Sequence, residues 1–129
     1  MTQALLLLVV DDEPYFREIF SKKLVSAGFR VETADSGEAG VKKAKELRPN
    51  LVLMDVKMLG VDGIHAMMKI KEDPLMKDTK VAFLTNAGER TEESGYEGDR
   101  QAAKGIGAAG YIQKTNNLDE IVKQIKSLL

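Results

Sequence analysis

The stretch Leu51-Val52-Leu53-Met54-Asp55 is an apolar run that ends in a carboxylate. Pro49 and Asn50, a pair that interrupts regular structure, precede it, and a loop that contains two glycines follows it over residues 58–63. Short apolar runs between turn residues are typical of strands buried on both faces of a parallel sheet. Asp55 is therefore predicted at the carboxyl end of a central strand, at the edge of a parallel sheet where ligands bind.

Strand and helix patterns alternate along the rest of the chain. Short apolar runs predict strands over residues 4–10, 29–33, 51–55, 80–84 and 110–113. Between them, apolar residues recur at helical spacing, with Pro14 at a first turn and Gly28 as a stop signal. The predicted helices cover residues 14–27, 36–47, 62–72, 100–106 and 117 onwards. This alternation predicts an α/β domain with a parallel sheet that helices cover on both faces.

Each longer helix is expected to bury one apolar side, because helices attach to a sheet in this way. Residues 88–100 are rich in acidic residues and glycine, and they are predicted to form a solvated loop. The single histidine, His65, is predicted on the surface of the third helix. The side chains predicted to be buried are Phe16, Ile19, Phe20, Leu24 and Ala27 in the first helix, Ile64, Met67 and Met68 in the third, and Leu118, Ile121, Val122, Ile125 and Leu128 in the last.

The composition excludes several classes of protein. The chain has 129 residues, which fits a single domain over residues 1–129. A net charge of −1 argues against a protein dedicated to nucleic acid or membrane surfaces. The absence of cysteine excludes thiolate chemistry, and one histidine cannot build a multi-histidine metal site. The apolar start, residues 4–10, is too short for a signal peptide or a membrane span, so we expect a cytoplasmic protein.

Residues that can hold charged ligands stand at the ends of four predicted strands. They are Asp11 and Asp12 after the first strand, Asp55 at the end of the third, Thr85 after the fourth and Lys114 after the fifth. Because the carboxyl ends of parallel strands share one edge, these side chains should surround one crevice. Three carboxylates repel one another unless a cation neutralises them, and their oxygens suit Mg²⁺. Carboxylates, Mg²⁺ and an ammonium together suit phosphoryl transfer, in which an aspartate can be the nucleophile.

Five segments, in order along the chain, resemble the receiver domain of two-component response regulators, and in particular the single-domain chemotaxis regulators. The segments are residues 9–14 (VVDDEP), 51–58 (LVLMDVKM), 62–63 (DG), 83–87 (FLTNA) and 107–114 (GAAGYIQK). The resemblance covers essentially the whole chain. It implies a flavodoxin-like, doubly wound fold, with a five-stranded parallel sheet in the order 2-1-3-4-5 and helices on both faces.

The resemblance implies roles for the acidic residues. Asp55 would be the phospho-acceptor. Asp12 would bind Mg²⁺ directly, and Asp11 would bind it directly or through water. Asp55 itself and the backbone carbonyl of Lys57 would supply the remaining protein ligands.

The resemblance also implies roles for three residues of the last two strands. Thr85 would donate a hydrogen bond to a phosphoryl oxygen, and Lys114 would form an ion pair with the phosphoryl group. Tyr111 would move between outward and inward rotamers and so, with Thr85, report phosphorylation to the face formed by the fourth helix, the fifth strand and the fifth helix. In such a switch, the charge added by phosphorylation favours one of the two rotamers of Tyr111. From the residues themselves, Tyr111 is equally well explained as a buried strand aromatic.

Several positions depart from the family pattern. Leu59 and Thr115 stand where the family usually has proline, and Asn86 replaces a residue that is usually small. The stretch between Thr85 and Tyr111 is longer than usual, and its extra residues fall in the acidic loop. These departures concern the pose of Lys114, the width of the site and the surface next to the output face.

The leading hypothesis is a receiver that accepts a phosphoryl group on Asp55 from a sensor histidine kinase or a phosphotransfer protein. Output would be a change in affinity for a downstream protein, or onward transfer in a phosphorelay, without direct contact to nucleic acid or membrane. We expect no output domain after Leu129, although a fragment of a longer protein would have the same sequence. Such a receiver is not an enzyme with a separate substrate, since Mg²⁺ would assist its own phosphorylation and dephosphorylation.

Two alternatives remain open from the residues. A degenerate receiver would bind partners without phosphorylation. Asn86 and Thr115 are compatible with that alternative, but the complete set of charged residues at the strand ends argues against it. An aspartate-nucleophile phosphatase would need a second aspartate two residues after the nucleophile, and position 57 is lysine.

Overall fold

The computed structural model describes residues 4–56, 62–86, 107–115 and 117–129. Five parallel strands form one sheet in the order β2-β1-β3-β4-β5, which confirms the expected topology. The first strand begins two residues later than the sequence predicts, and the second is shifted by one residue towards the carboxyl terminus. The strands are β1 (Leu6–Val10), β2 (Arg30–Ala34), β3 (Leu51–Asp55), β4 (Lys80–Asn86) and β5 (Gly110–Lys114).

Four helices connect or follow the strands in the described part of the chain. They are α1 (Pro14–Ser26), α2 (Gly37–Leu47), α3 (Gly63–Glu72) and α4 (Leu118–Leu128). The helix predicted over residues 100–106 and the acidic loop over residues 88–100 lie outside the described residues. No helix among the residues described is long and apolar enough to cross a membrane.

The helix ends follow from local chemistry. Pro14 occupies the first turn of α1, where its missing N–H costs nothing, and Gly28 adopts φ +100° just after the helix. The side chains of Ser36, Asp62 and Asn117 accept hydrogen bonds from the backbone amides of the first turns of α2, α3 and α4. These caps satisfy amides that have no partner inside the helix, so each helix begins at a defined residue.

The core consists of two apolar clusters, one on each face of the sheet. On one face β1, β3 and β4 pack with residues of α2 and α3, and on the other they pack with residues of α1 and α4. Strand β3 is buried along its whole length, as its continuous apolar run predicts. The largest fully buried side chains are Phe20, Phe83, Leu7, Leu8, Leu24, Leu51, Leu53, Met54, Met67, Ile70, Met76 and Leu84.

Two predicted core positions are wrong. Met68 is 45% exposed, whereas its neighbour Met67 is fully buried. Adjacent helix residues point in different directions, and α3 places Met67 towards the sheet together with Ala66 and Ile70. Ile19 is exposed because α1 buries only a narrow stripe.

Candidate functional site

The end of β1 brings two carboxylates to the carboxyl edge of the sheet. The backbone N–H of Asp11 donates to the carbonyl of Ala34 at 3.1 Å, which extends the β1–β2 ladder by one residue. The side chain of Asp11 is fully buried, and its Oδ1 accepts a hydrogen bond from the amide of Glu13 at 2.8 Å. This Asx-type turn directs the chain into α1 and leaves Oδ2 of Asp11 facing the site. Asp12 follows and is half-buried.

Asp55 ends β3 in a backbone that is fixed on both sides. It is 1% exposed and lies opposite Leu84 in the β3–β4 ladder. The next residue, Val56, donates its amide to Leu84 and accepts a hydrogen bond from the amide of Gly63 at 2.9 Å. A Cβ atom at Gly63 would overlap the carbonyl oxygen of Asp55. Glycine is therefore required where α3 begins, because the helix approaches the backbone of Asp55 so closely.

Three carboxylates form a cluster at this edge. Asp11, Asp12 and Asp55 each offer one oxygen, and these oxygens all lie within 4.8 Å of one another. Two of the three residues, Asp11 and Asp55, are buried. Like charges at this distance repel one another, so a cation nearby would stabilise the cluster.

Lys114 supplies a positive charge from the end of β5. Its Nζ lies 2.5 Å from Oδ2 of Asp11 and 3.4 Å from Oδ2 of Asp55, and its side chain is only 5% exposed. Burial by itself lowers the pKa of the Lys114 ammonium. The contact with Asp11 and the negative charges of Asp11, Asp55 and Glu13 outweigh that effect, and the pKa is raised above its usual value. Lys114 therefore stays charged at neutral pH.

The donor set fits a hard divalent cation. Among the residues that the structure describes, no donor meets the buried Oδ2 of Asp11 with hydrogen-bond geometry, and its close neighbour is the Lys114 ammonium. Carboxylate oxygens that lack hydrogen bonds and converge with two other carboxylates are the ligands that Mg²⁺ takes in proteins. Lys57, whose carbonyl was expected to be a further ligand, lies outside the described residues.

The two residues expected to act as a switch lie on β4 and β5. Thr85 is 3% exposed, and in the ladder it follows Leu84, the residue opposite Asp55. Tyr111 is half-buried and packs against the cluster that contains Phe83, with 6.3 Å between the two ring centroids. Thr85 thus reaches the same edge as Asp55, whereas Tyr111 lies three residues before Lys114, within β5.

Two residues that contact the site were not predicted from the sequence to belong to it. Nη1 of Arg17 donates to the carbonyl of Asp11 at 2.7 Å, and the ring of Phe16 lies 4.5 Å from Nζ of Lys114. Both belong to the first turns of α1. Their signal was their place four and five residues after Asp12, but which side of α1 faces the site depends on how the helix packs on the sheet.

Comparison with known proteins identifies the class of protein. The sequence model of the family described as "Response regulator receiver domain" matches residues 7–126. The chain belongs to this family. Response regulator GacA of Pseudomonas viridiflava is 40% identical over 122 residues, which are 92% of this chain and 52% of GacA. The phosphate regulon regulator PhoB of Escherichia coli is 32% identical over 123 residues, or 95% of this chain and 51% of PhoB.

Solved receiver structures share the fold at full length. The chemotaxis protein CheY4 of Vibrio cholerae has a TM-score of 0.85 and 28% identity, and the match covers 98% of this chain and 99% of CheY4. The response regulator TrrA of Thermotoga maritima, solved in complex with Mg²⁺ and BeF, has a TM-score of 0.80 and 30% identity, with 97% and 99% of the two chains covered. The expected flavodoxin-like fold is confirmed.

Membership defines the general role of this receiver. It is a phosphorylation-dependent signalling domain, of a family that interacts with histidine kinases or phosphotransfer proteins. Response regulators are generally signalling proteins rather than enzymes, and their receivers typically bind Mg²⁺ at an acidic pocket such as the Asp11, Asp12 and Asp55 cluster. The receiver spans about half the length of the curated relatives it matches.

Proposed function

We propose that this receiver accepts a phosphoryl group on Asp55 from a phosphohistidine of a sensor kinase or a phosphotransfer protein. The observation that carries the proposal is the convergence of three carboxylates within 4.8 Å, with Nζ of Lys114 in contact with two of them. Phosphoryl transfer depends on positioning and on neutralising charge, and this arrangement provides both.

In the transfer step, a carboxylate oxygen of Asp55 attacks phosphorus. An O–P bond forms, the P–N bond to the donor imidazole breaks, and the imidazole leaves with the electron pair. Burial of Asp55 excludes bulk water, and the β3–β4 ladder and Gly63 hold the backbone behind the carboxylate. Lys114 is already within 3.4 Å of Asp55 and can form an ion pair with a phosphoryl oxygen after a small movement.

Asp11, Asp12 and Asp55, together with the carbonyl of Lys57, are the proposed Mg²⁺ ligands. A bound Mg²⁺ supplies positive charge next to the transferring phosphoryl group. Arg17 holds the carbonyl of Asp11, and Glu13 donates its amide to the Asp11 side chain, so the acidic pair is held in place by α1.

The same site supports dephosphorylation. Water attacks phosphorus, the bond between phosphorus and Asp55 breaks, and inorganic phosphate leaves. The receiver thus promotes its own phosphorylation and dephosphorylation without a separate substrate. Thr85, which follows Leu84 in β4, would donate a hydrogen bond from its hydroxyl group to a phosphoryl oxygen.

Output is proposed to pass through Tyr111. Strand β5 carries both Lys114 at the site and Tyr111 at its half-buried position, so a movement of Lys114 towards a phosphoryl group reaches Tyr111 through one strand. The downstream protein would bind the face that includes β5 and α4 together with the predicted helix at residues 100–106. We propose a single receiver domain over residues 1–129 that acts in the cytoplasm by protein contacts and not by binding nucleic acid.

Intact mass spectrometry tests the proposal. With Mg²⁺ and acetyl phosphate, the chain should gain one phosphoryl group, and the Asp55→Asn variant should gain none. Asp78→Asn is the matched control, since Asp78 is exposed and precedes β4 at the opposite edge of the sheet. Failure of small donors and of a kinase to phosphorylate the chain would favour a binding module, and multiple turnover on phosphoesters would favour a phosphatase.

A further inference from the structure

Among the described residues, the ammonium of Lys114 has close contacts of two different kinds. Two are with carboxylates, at 2.5 Å on Asp11 and 3.4 Å on Asp55. The third is with the ring of Phe16, whose centroid lies 4.5 Å from Nζ. A cation over the face of an aromatic ring at this distance is attracted by the electron-rich face, and the attraction is stronger when the cation is shielded from water. The Lys114 side chain is 5% exposed, so it meets that condition.

Phe16 is held in place by its own packing. Its ring is tilted by 32° to the ring of Phe20, with 5.0 Å between centroids. Phe20 is fully buried between α1 and the sheet, and Phe16 packs against the same apolar cluster. The ring is therefore a fixed surface, and Lys114 reaches it from the opposite side of the site, across the carboxyl ends of the strands.

The backbone that follows Lys114 restrains its side chain only weakly. The residue that follows is Thr115, which does not fix the backbone as a proline would. The next local restraint comes later, where Oγ1 of Thr115 accepts a hydrogen bond from the amide of Asn117 at 3.2 Å. In the part of the chain that the structure describes, the contacts that position the ammonium are those with Asp11, Asp55 and Phe16.

We propose that Phe16 is a positioning residue for phosphoryl transfer, because its ring holds the Lys114 ammonium close to the carboxylates of Asp11 and Asp55. A ring face has no fixed acceptor direction. The ammonium can therefore move from Asp11 towards a phosphoryl oxygen on Asp55 and keep the contact with the ring. The ring also adds no charge, so it does not compete with Mg²⁺ for the carboxylates. The inference rests on the proposed role of Asp55 as the phospho-acceptor.

The alternative is that Phe16 only fills space beside Phe20. Two substitutions separate the roles. Phe16→Leu keeps an apolar helix-forming side chain and removes the aromatic face, whereas Phe16→Tyr keeps the face. Phe29→Leu is the control for lost packing, since Phe29 is also half-buried against the same cluster but its ring is not the one that faces Lys114 or packs on Phe16 as Phe20 does.

The first readout is made without metal or phosphodonor. An aromatic ring shifts the NMR signals of nuclei above its face upfield, so the ε-methylene protons of Lys114 should be shifted in the wild-type chain. The shift should be lost in Phe16→Leu and kept in Phe16→Tyr and Phe29→Leu. Equal Lys114 signals in the wild type and Phe16→Leu would overturn the contact on which the proposal depends.

The second readout is the rate of phosphorylation by acetyl phosphate with Mg²⁺. Phe16→Leu should slow it by about fivefold to thirtyfold, the range between loss of an exposed and loss of a shielded cation–π contact. Phe16→Tyr should stay within about twofold of the wild type on the same scale. An unchanged rate in Phe16→Leu, or equal losses in Phe16→Leu and Phe16→Tyr, would overturn the positioning role. A wild-type chain that takes up no phosphoryl group would instead refute the proposed function, and the NMR shift would still report on the contact.

Discussion

The ammonium of Lys114 lies 2.5 Å from Oδ2 of Asp11 and 3.4 Å from Oδ2 of Asp55, so its contact with Asp55 is the longer of the two. The ammonium neutralises part of the charge of a buried carboxylate cluster. Transfer of a phosphoryl group to Asp55 would add negative charge on the side where Lys114 now has its longer contact. The added charge would therefore attract the Lys114 ammonium towards Asp55. We propose that the ammonium keeps its contact with the ring of Phe16 during this movement.

The substitution Lys114→Met should destabilise the metal-free chain. It leaves the buried carboxylates of Asp11 and Asp55 without their cation, and breaking a buried pair in this way costs about 3–5 kcal/mol. Urea denaturation in the presence of a chelator measures the free energy of unfolding. Mg²⁺ should raise the stability of this variant more than that of the wild type, because the metal replaces the lost charge.

The control for this measurement is Lys22→Met. Lys22 is 76% exposed and pairs with Glu18 at 3.2 Å on the surface of α1. Exposed pairs of this kind contribute about 0–1 kcal/mol. Equal losses in the two variants would show that Lys114 has no special role in neutralising the cluster.

Sequence patterns predicted which residues lie at the site, but not how the side chains pack there. Asp11, Asp12, Asp55 and Lys114 could be predicted because parallel strands bring their carboxyl ends to one edge whatever the details of packing. The contribution of Phe16 could not, since it depends on how α1 lies across the sheet.

Among the described helices, α3 begins directly against the backbone of Asp55. Asp62 caps the helix, and Gly63 brings the first turn against the carbonyl of Asp55. The sequence identified Asp62-Gly63 as a helix start, but the requirement for glycine appears only when the distance between helix and strand is known. The exposure of Met68 has the same origin, because the rotation of α3 on the sheet decides which of two adjacent methionines is buried.

Gly63→Ala should disturb both stability and phosphorylation. The added Cβ overlaps the Asp55 carbonyl, so α3 or the end of β3 must shift, at a cost of about 2–4 kcal/mol. Gly28→Ala is the control: it has open space around the new Cβ but requires an unfavourable φ of +100°, and it lies far along the chain from the site. That control should lose only about 1–2 kcal/mol and keep its phosphorylation rate. A normal phosphorylation rate in Gly63→Ala would show that the backbone of Asp55 tolerates displacement.

The Asp62 cap predicts a dependence of stability on pH. Burial raises the pKa of Asp62. Hydrogen bonds from the amide and the ring of His65 lower this pKa by a larger amount, so the net pKa lies below its ordinary value. A carboxyl whose pKa is depressed by folding contributes stability above its unfolded pKa of about 3.9, and that contribution is lost as the pH falls through the folded pKa.

Asp62→Ala should accordingly cost about 1 kcal/mol at neutral pH, and the difference from the wild type should shrink in acid. Asp62→Asn keeps a capping oxygen and serves as the control, with a smaller loss that changes little with pH. Denaturant unfolding at several pH values measures these differences. A loss in Asp62→Ala that is the same in acid as at neutral pH would contradict the assigned charge of the cap.

On the scale of the whole molecule, strand β5 links the site to Tyr111 on one face of the sheet. Strand β5 carries Lys114 at the carboxyl edge and Tyr111 against the apolar cluster on one face, while α4 packs on the other face. The alternation of strands and helices predicted the parallel sheet, and the family resemblance supplied the strand order. The predictions for residues 87–106 concern a part of the chain that lies outside the described residues.

If Tyr111 reports phosphorylation, its ring should change environment when Asp55 is modified. Fluorine NMR of the chain labelled with fluorotyrosine should show a shift of the Tyr111 signal on addition of Mg²⁺ and acetyl phosphate. Tyr15, which is 78% exposed on α1, is the internal control and should keep its signal. A Tyr111 signal that stays unchanged in a fully phosphorylated sample would exclude this residue as the switch.

The most direct test of the account is to locate the phosphoryl group in the chain. After incubation with Mg²⁺ and acetyl phosphate, borohydride reduction of the acyl phosphate and peptide mass spectrometry identify the modified carboxylate. Modification is expected at Asp55 and not at Asp11 or Asp12, which are the proposed metal ligands. Modification at either of these two residues in place of Asp55, or no modification of the chain, would contradict it.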